Sequence, residues 1–505
     1  MATEGERRSK PSRARSANVE PESRRPTSKP EGPKNLPLAA PAALRDAFAV
    51  LADREQMLEV LQRELGRLAQ GSLRVTRCKA KVQRSRAALR QGRIRIVYQL
   101  RIVVADELGS EGDERELIVL GTAPESAEFL DHEPCRAVRG HPALAPFTEP
   151  ALHVAELQLA LRIYPLDPNL PALAELEGPG GAMLLASHLG ARAAGAAPER
   201  LERELKHYKP FKRAVLRVRA FSSGAPEPRV LYAKVFADER GALLHREHRA
   251  LWDATRSARA LRIPEPLGYD PARRMLLMGE APGRPDLIDW IKGLENHRTL
   301  PPEVGFERVL RCMAVAAEAL AELQASGIQP HSVLGYRQQL ARMDKGRLLL
   351  RGELAERHPE LTRQAEELLR RLEARMPARE ELVPAHGGFR HKQMVGDEHS
   401  LAVIDWDGLC RADPALDAAT FLLRLRQEPL REPGSAPEME RLADTFRREF
   451  LARVPRVSPA HLALYEGLAL TQGTLRSFRR AAKDDGMERT IGNLATAAAQ
   501  ALDRA

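Results

Sequence analysis

His386–Asp417 reads HGGFRHKQMVGDEHSLAVIDWDGLCRADPALD. Within it, Ser400–Ile404 is a short apolar strand that ends abruptly in Asp405, followed by Trp406 and Asp407. A carboxylate at a strand end, backed by an aromatic residue and a second acid, presents oxygen ligands to a hard cation. Acids at strand ends also simply make turns, so the Ile-Asp-Trp-Asp step in isolation reads either way.

The order of its neighbours decides between the two. His386-Gly387 opens a loop, the amide side chain of Gln393 follows, then come Asp405 and Asp407, and a DPxxD step sets Asp413 and Asp417 at the start of a helix. This series resembles the catalytic segment of the aminoglycoside phosphotransferase and choline kinase family, two-lobed relatives of protein kinases. The resemblance implies ATP and Mg²⁺ as cofactors and His386, Asp405 and Asp407 as catalytic-segment residues. It implies Gln393 and Asp405 as metal ligands. The family's loop begins His-Gly-Asp and ends in Asn. Here the Asp position is Gly388 and the Asn position is Gln393. An amide oxygen one methylene further out can still reach a metal, but Gly388 offers no base. In its place Asp407, His391 or a group of the substrate would have to serve.

Upstream, Arg213–Phe221 (RAVLRVRAF) and Arg229–Ala237 (RVLYAKVFA) alternate as strands, with Lys234 in the middle of the second. A lysine flanked by apolar strand residues requires an anionic partner, unless it lies on the solvent face of an edge strand. A helical stretch follows and carries Glu247, with Glu239 as the alternative should the helix start elsewhere. A strand lysine paired with a helix glutamate is how protein kinases hold the nucleotide phosphates. Through the resemblance, Lys234 and Glu247 are therefore expected at the nucleotide. The strand RMLLMGEA and its Gly/Pro break are expected to form the hinge at the adenine, around Met278 and Glu280. Neither a GxGxxG loop nor a Walker A motif occurs, which excludes a P-loop ATPase.

Further out the chain divides by composition. Residues 1–44 are rich in Arg, Lys, Pro, Ser and Glu with few large apolar residues, a composition expected to be disordered. Residues 45–200 read as an α+β accessory segment. In it, Met57, Leu58, Leu61, Leu65 and Leu68 line one helical face closed by Gly71, and Arg93–Val104 is a strand with RELIVLGT as its hairpin partner. Residues 201–290 form the expected kinase-like N-lobe and hinge, and 291–505 the helical C-lobe. There Leu310, Met313, Ala317, Leu320 and Leu323 form one stripe that ends at Gly327. Arg-rich helical faces near the C-terminus read as solvated surface, some of which could hold an anionic substrate.

The expected fold class is thus α+β: a two-lobed kinase-like fold with a small β-rich N-lobe and a helical C-lobe, behind an accessory segment and a disordered tail. The net charge of +10 suits an anionic partner, and with no aromatic residue in the basic tail to stack on a base it argues weakly for nucleic acid. Cys78, Cys135, Cys312 and Cys410 are scattered, without zinc-ligand spacing, and fit a reducing compartment. No apolar run reaches the roughly 18 residues of a membrane span, so a cytoplasmic location without a membrane partner is expected. Two functions remain open. One is an ATP-dependent kinase of a small-molecule hydroxyl acceptor. The other is an inactive pseudokinase acting as a nucleotide-binding or protein-interaction module, with the N-terminal segment as its arm.

Overall fold

A computed structural model of the 505-residue chain describes residues 42–83, 86–105, 112–140, 144–178, 180–190, 198–223, 226–301, 304–351, 353–377, 379–431, 437–481 and 487–505. The expected disordered tail lies outside the described residues.

The accessory segment is built on an antiparallel sheet of β1 (Ser72–Gln83), β2 (Ile94–Ala105), β3 (Arg115–Ala123), β4 (Ala151–Val154) and β5 (Leu159–Ile163), in the order β1-β2-β3-β5-β4. The expected hairpin is the β2–β3 pair. Helices Ala42–Ala52 and Arg54–Leu68 cover the sheet. Met57, Leu61 and Leu65 meet Ile96, Tyr98 and Leu100 in one core, as the apolar periodicity demands. The side chain of Asp53 caps the second helix by accepting the N–H groups of Glu55 and Gln56, each at 2.9 Å. The helix ends at Leu68 rather than at Gly71. Gly71, at φ +94°, instead turns the chain into β1.

The second sheet holds β6 (Arg200–Lys209), β7 (Arg213–Phe221), β8 (Arg229–Phe236), β10 (Pro266–Asp270) and β11 (Met275–Gly279), ordered β10-β11-β8-β7-β6. The short β9 (Leu261–Arg262) lies apart from it. One face, formed by residues such as Leu216, Ala233, Val235 and Leu277, is buried under helices Pro171–Glu177 and Gly181–Gly190. Strand β8 is central, so Lys234 is not on an edge. Because side chains alternate across a strand, Lys234 emerges on the face opposite Ala233 and Val235, beside helix Arg240–Ala254.

Beyond the hinge the chain is helical. Helices Phe306–Ala325, Pro359–Ala374, Ala415–Leu425, Pro437–Arg453, Pro459–Ala481 and Glu488–Asp503 contribute to one continuous core. Of the expected stripe on the first of these, Met313, Ala317, Leu320 and Leu323 are buried and Leu310 packs against them at its margin. Five short strands lie at the edge of this lobe that faces the sheet: β12 (Val333–Leu334), β13 (Val383–Ala385), β14 (Met394–Gly396), β15 (Leu401–Val403) and β16 (Cys410–Ala412). They pair as β12-β16-β13 and β14-β15-β9, so β9 ties the two lobes together. The result is the two-lobed kinase-like α+β fold, and no helix among the described residues is long and apolar enough to cross a membrane.

Candidate active site

The loop after β13 is held from below by Asp417, in the first turn of helix Ala415–Leu425. Its buried carboxylate accepts the backbone N–H groups of His386 at 2.6 Å, Gly387 at 3.3 Å and Phe389 at 3.4 Å. Burial pushes this carboxyl up, and the three N–H donors and His386 oppose that shift. Gly387 takes φ +71°, and a Cβ there would run into the carbonyl oxygen of Gly408, so only glycine fits. Gly388 is different. Its backbone is not left-handed, and the nearest atom to a Cβ at that position would be His386 Nδ1, 3.9 Å away. Nothing steric demands glycine at 388.

His386 is almost fully buried, with Trp406 packed at 4.7 Å between ring centroids. Its Nε2 lies 3.0 Å from the carbonyl oxygen of Ile404. A carbonyl only accepts, so Nε2 carries the proton and Nδ1 is left as a bare lone pair, with no partner in the structure. Burial lowers the imidazole pKa and keeps the ring neutral.

Asp405 leaves β15 with φ 67° and ψ 54°, a left-handed conformation that non-glycine residues seldom adopt and that costs on the order of 1–3 kcal/mol. This turn aims its carboxylate back at the sheet. Lys234 Nζ, only 5% exposed, donates to Asp405 Oδ1 at 3.2 Å and also to Asp407 Oδ1. Arg213, on β7, donates to Asp407 Oδ2 and lies 3.9 Å from Asp405. Burial alone would raise the Asp405 carboxyl, but the charges of Lys234 and Arg213 outweigh it and hold its pKa below the ordinary range. Gln393 Nε2 donates to Asp405 Oδ2 at 3.1 Å, and its buried Oε1 has no partner. The structure thus gathers His386, Lys234, Gln393, Asp405 and Asp407 around one cleft between the lobes.

Other expected residues fall elsewhere. Glu247 does not pair with Lys234: its Oε1 accepts the backbone N–H of His331 at 2.6 Å, because that position of the helix faces the C-lobe rather than the sheet. Glu239 pairs with Arg274 at 2.9 Å on the surface. Lys234 finds its anions in the strand-end acids instead. His391 is buried, 3.2 Å from Glu295, and burial lowers its pKa, so it is shut away from the cleft as a base. Met278 is half-buried on β11, opposite Tyr232, and the Glu280 carboxylate is taken by Arg217 at 3.0 Å.

Arg213 was missed by sequence reasoning. Its signal is strand parity. Val215 stands opposite Lys234 and Arg213 opposite Phe236, which puts Arg213 on the same face as Lys234, one diagonal step away. That signal appears only once the register between the strands is known.

The cleft suits a hard divalent cation. Two carboxylates and an orphaned amide oxygen are the oxygen donors that Mg²⁺ takes alongside substrate phosphates. Rotating the Gln393 amide would exchange its two ends and bring Oε1 beside Asp405. Lys234 and Arg213 at present compete for the same carboxylates. On the other side of the 386–393 loop lies a cavity of about 270 Å³, between helices Tyr336–Arg347, Ala415–Leu425 and Pro459–Ala481, with Gly388 and Gln393 in its wall.

No curated protein matches this chain. Among solved structures, a protein assigned as an aminoglycoside phosphotransferase from Ralstonia eutropha JMP134 is 14% identical at a TM-score of 0.46, over 63% of this chain and 97% of that one. A choline/ethanolamine kinase family protein from Mesorhizobium loti is 16% identical at a TM-score of 0.39, over 64% and 98%. A macrolide 2′-phosphotransferase from Brachybacterium faecium is 15% identical at a TM-score of 0.38, over 62% and 97%. The model of the phosphotransferase enzyme family, APH, matches residues 217–453. This segment, with Lys234, the 386–393 loop and Asp405, is the part of the chain that matches the phosphotransferase enzyme family.

Proposed function

We propose that this chain transfers the γ-phosphoryl group of ATP to a hydroxyl of a small molecule, in the cytoplasm. The observation that carries the reading is the convergence of Lys234, Asp405, Asp407 and the Gln393 amide at one place between the lobes. Lys234 would hold phosphate oxygens, and Asp405 with Gln393 would hold Mg²⁺. Mg²⁺ held there would supply positive charge against the charge that develops on the phosphates during transfer. The four cysteines are free, buried thiols, which fits a reducing compartment.

In the transfer, the acceptor oxygen bonds to the γ-phosphorus, the bond to the β–γ bridging oxygen breaks, and ADP leaves. The hydroxyl proton needs a destination. Asp407 is engaged by two cations, and the His391 ring lies against the Glu295 carboxylate at 3.2 Å. His386 Nδ1 is a neutral lone pair beside the space that a longer side chain at 388 would fill. We assign it the role of proton acceptor, reached through the gap at Gly388. A general base contributes about 10²–10⁴ in rate. Most of the catalysis in phosphoryl transfer comes from positioning and electrostatics, so a weak base slows the reaction without removing it.

A second reading has its own observation. Arg213 and Lys234 neutralise both acids, a charge arrangement that would also suit a pseudokinase binding nucleotide without metal. Release of ADP from ATP, with and without Mg²⁺ and across a panel of hydroxyl acceptors, separates the two. Acceptor-stimulated, Mg²⁺-dependent ADP release supports the kinase reading. Its absence throughout, with ATP still bound, supports the pseudokinase.

A further inference from the structure

The cavity beyond the loop has a chemical character of its own. Arg342, Arg390, Arg424 and Arg476 contribute to its wall, and no carboxylate is among its described lining residues. Arginine is the side chain best matched to carboxylate and phosphate, through its planar fork of donors. Three of the four have no compensating acid. Among the described residues, Arg342, Arg390 and Arg424 form no ion pair, and the printed partner of Arg424 is the neutral amide of Gln427 at 3.1 Å. Buried guanidinium nitrogens of Arg390 and Arg424, both Nε, are unpartnered. Burial, then Arg390 and Arg480, lowers the pKa of Arg424, which reflects positive charge left uncompensated. Buried donors without acceptors are costly, so such a constellation is explained by a ligand that supplies the acceptors.

We propose that the acceptor is a small anionic hydroxyl compound, whose phosphate or carboxylate docks on Arg390 and Arg424 while its hydroxyl turns toward the loop at Gly388. The inference rests on the phosphotransferase reading for the word acceptor, and on the cavity alone for the word anionic. A cationic acceptor would meet only like charge here. The modest volume suits a compound of a few carbons rather than an oligosaccharide. Glycine at 388, which no steric constraint requires, widens the passage between the cavity and the γ-phosphate and keeps a carboxylate away from an anionic substrate.

The test uses calorimetry on the full chain with glycerol 3-phosphate, glycerate, glycerol and choline, and separately with Mg·ATP. Wild type is expected to bind both anions about tenfold or more tightly than glycerol or choline, the scale of one charge-assisted hydrogen bond. The ratio of the two anions tells phosphate from carboxylate. Arg424→Gln and Arg390→Gln should remove the preference while Mg·ATP affinity stays within about twofold. Arg342→Gln, at an exposed position where folding is not at stake, should reduce it in the same direction. Equal affinity for charged and uncharged compounds, a preference for choline, or no binding of any of the four would overturn the proposal. So would a loss of Mg·ATP affinity in the arginine variants matching their loss of the anions, since the arginines would then be holding nucleotide. Anion preference in a wild type that binds no Mg·ATP would leave an anion site standing and defeat the phosphotransferase reading.

Discussion

The loop 386–393 separates two sites of opposite design. On its sheet side, two carboxylates stand against two cations, and each charge has a partner: Lys234 with Asp405 and Asp407, Arg213 with Asp407. On its helix side, four arginines share a cavity without an acid among its described lining residues. The first arrangement is self-neutralised and holds its geometry without ligand. The second is incomplete without one. Burial makes the contrast consequential, because an unpaired charge or donor costs far more in a low-dielectric interior than in water. A nucleotide entering the first site must compete with existing ion pairs, whereas an anion entering the second meets the unpartnered Nε donors of Arg390 and Arg424. The two glycines between them differ in the same way: Gly387 is required by the backbone, and Gly388 is not.

The largest effect should come from that second glycine. Gly388→Asp gives the loop the carboxylate that the resembling family's loop carries, and the rate of transfer to a neutral hydroxyl acceptor should rise by about 10²–10⁴ in steady-state turnover. An unchanged rate would mean that the proton already has an efficient acceptor. Transfer to an anionic acceptor should gain less, because the new charge faces it. Next in size, Lys234→Met should weaken ATP binding by about 1–3 kcal/mol in calorimetry, the scale of a contact to a charged group. Unchanged affinity would remove Lys234 from the nucleotide site.

The glycine pair offers a stability test. Gly387→Ala should cost about 1–3 kcal/mol in denaturant unfolding, since it forces a side chain into a left-handed turn against a carbonyl. Gly388→Ala should stay within about 0.5 kcal/mol. Equal costs would show that the two positions are constrained alike. The smallest effect concerns the self-neutralised side. The Asp405 carboxyl is depressed in the folded chain, so its contribution to stability is complete above the ordinary aspartate value of about 4 and is lost as pH falls through the lowered value. Arg213→Gln removes one of the charges that depress it. The acid unfolding midpoint should then move upward, by roughly half a unit or less at a partly exposed group. The same variant should lower the Mg²⁺ concentration needed for ATP binding, because one competitor for the acids is gone.

How much of this was legible in the sequence depended on how local each relation is. The segment His386–Asp417 carries its own register: the loop, the strand, the acid at its end and the helix start are all near neighbours in the chain, and the order of residue types was enough to read them, although not the left-handed backbone of Asp405. Lys234 was legible as a charge that needed a partner, but the partner was read as Glu247, by analogy with the lysine–glutamate pair of protein kinases. The structure gives Asp405 and Asp407, more than 170 positions away, a pairing that only the packing of the lobes creates. Arg213 was hidden by the pairing of β7 with β8. The four cavity arginines come from four separate stretches: Arg342, Arg424 and Arg476 each have, taken alone, the appearance of solvated helix surface, and Arg390 lies in the loop. Their convergence is a property of the tertiary fold.

The central claim is that Asp405 and Lys234 form a metal-assisted nucleotide site. Calorimetric ATP binding, with and without Mg²⁺, on wild type and Asp405→Ala tests it most directly. The account predicts that Mg²⁺ tightens ATP binding in wild type and that the variant loses this gain. Equal ATP affinity in both proteins, with no response to Mg²⁺, would contradict it.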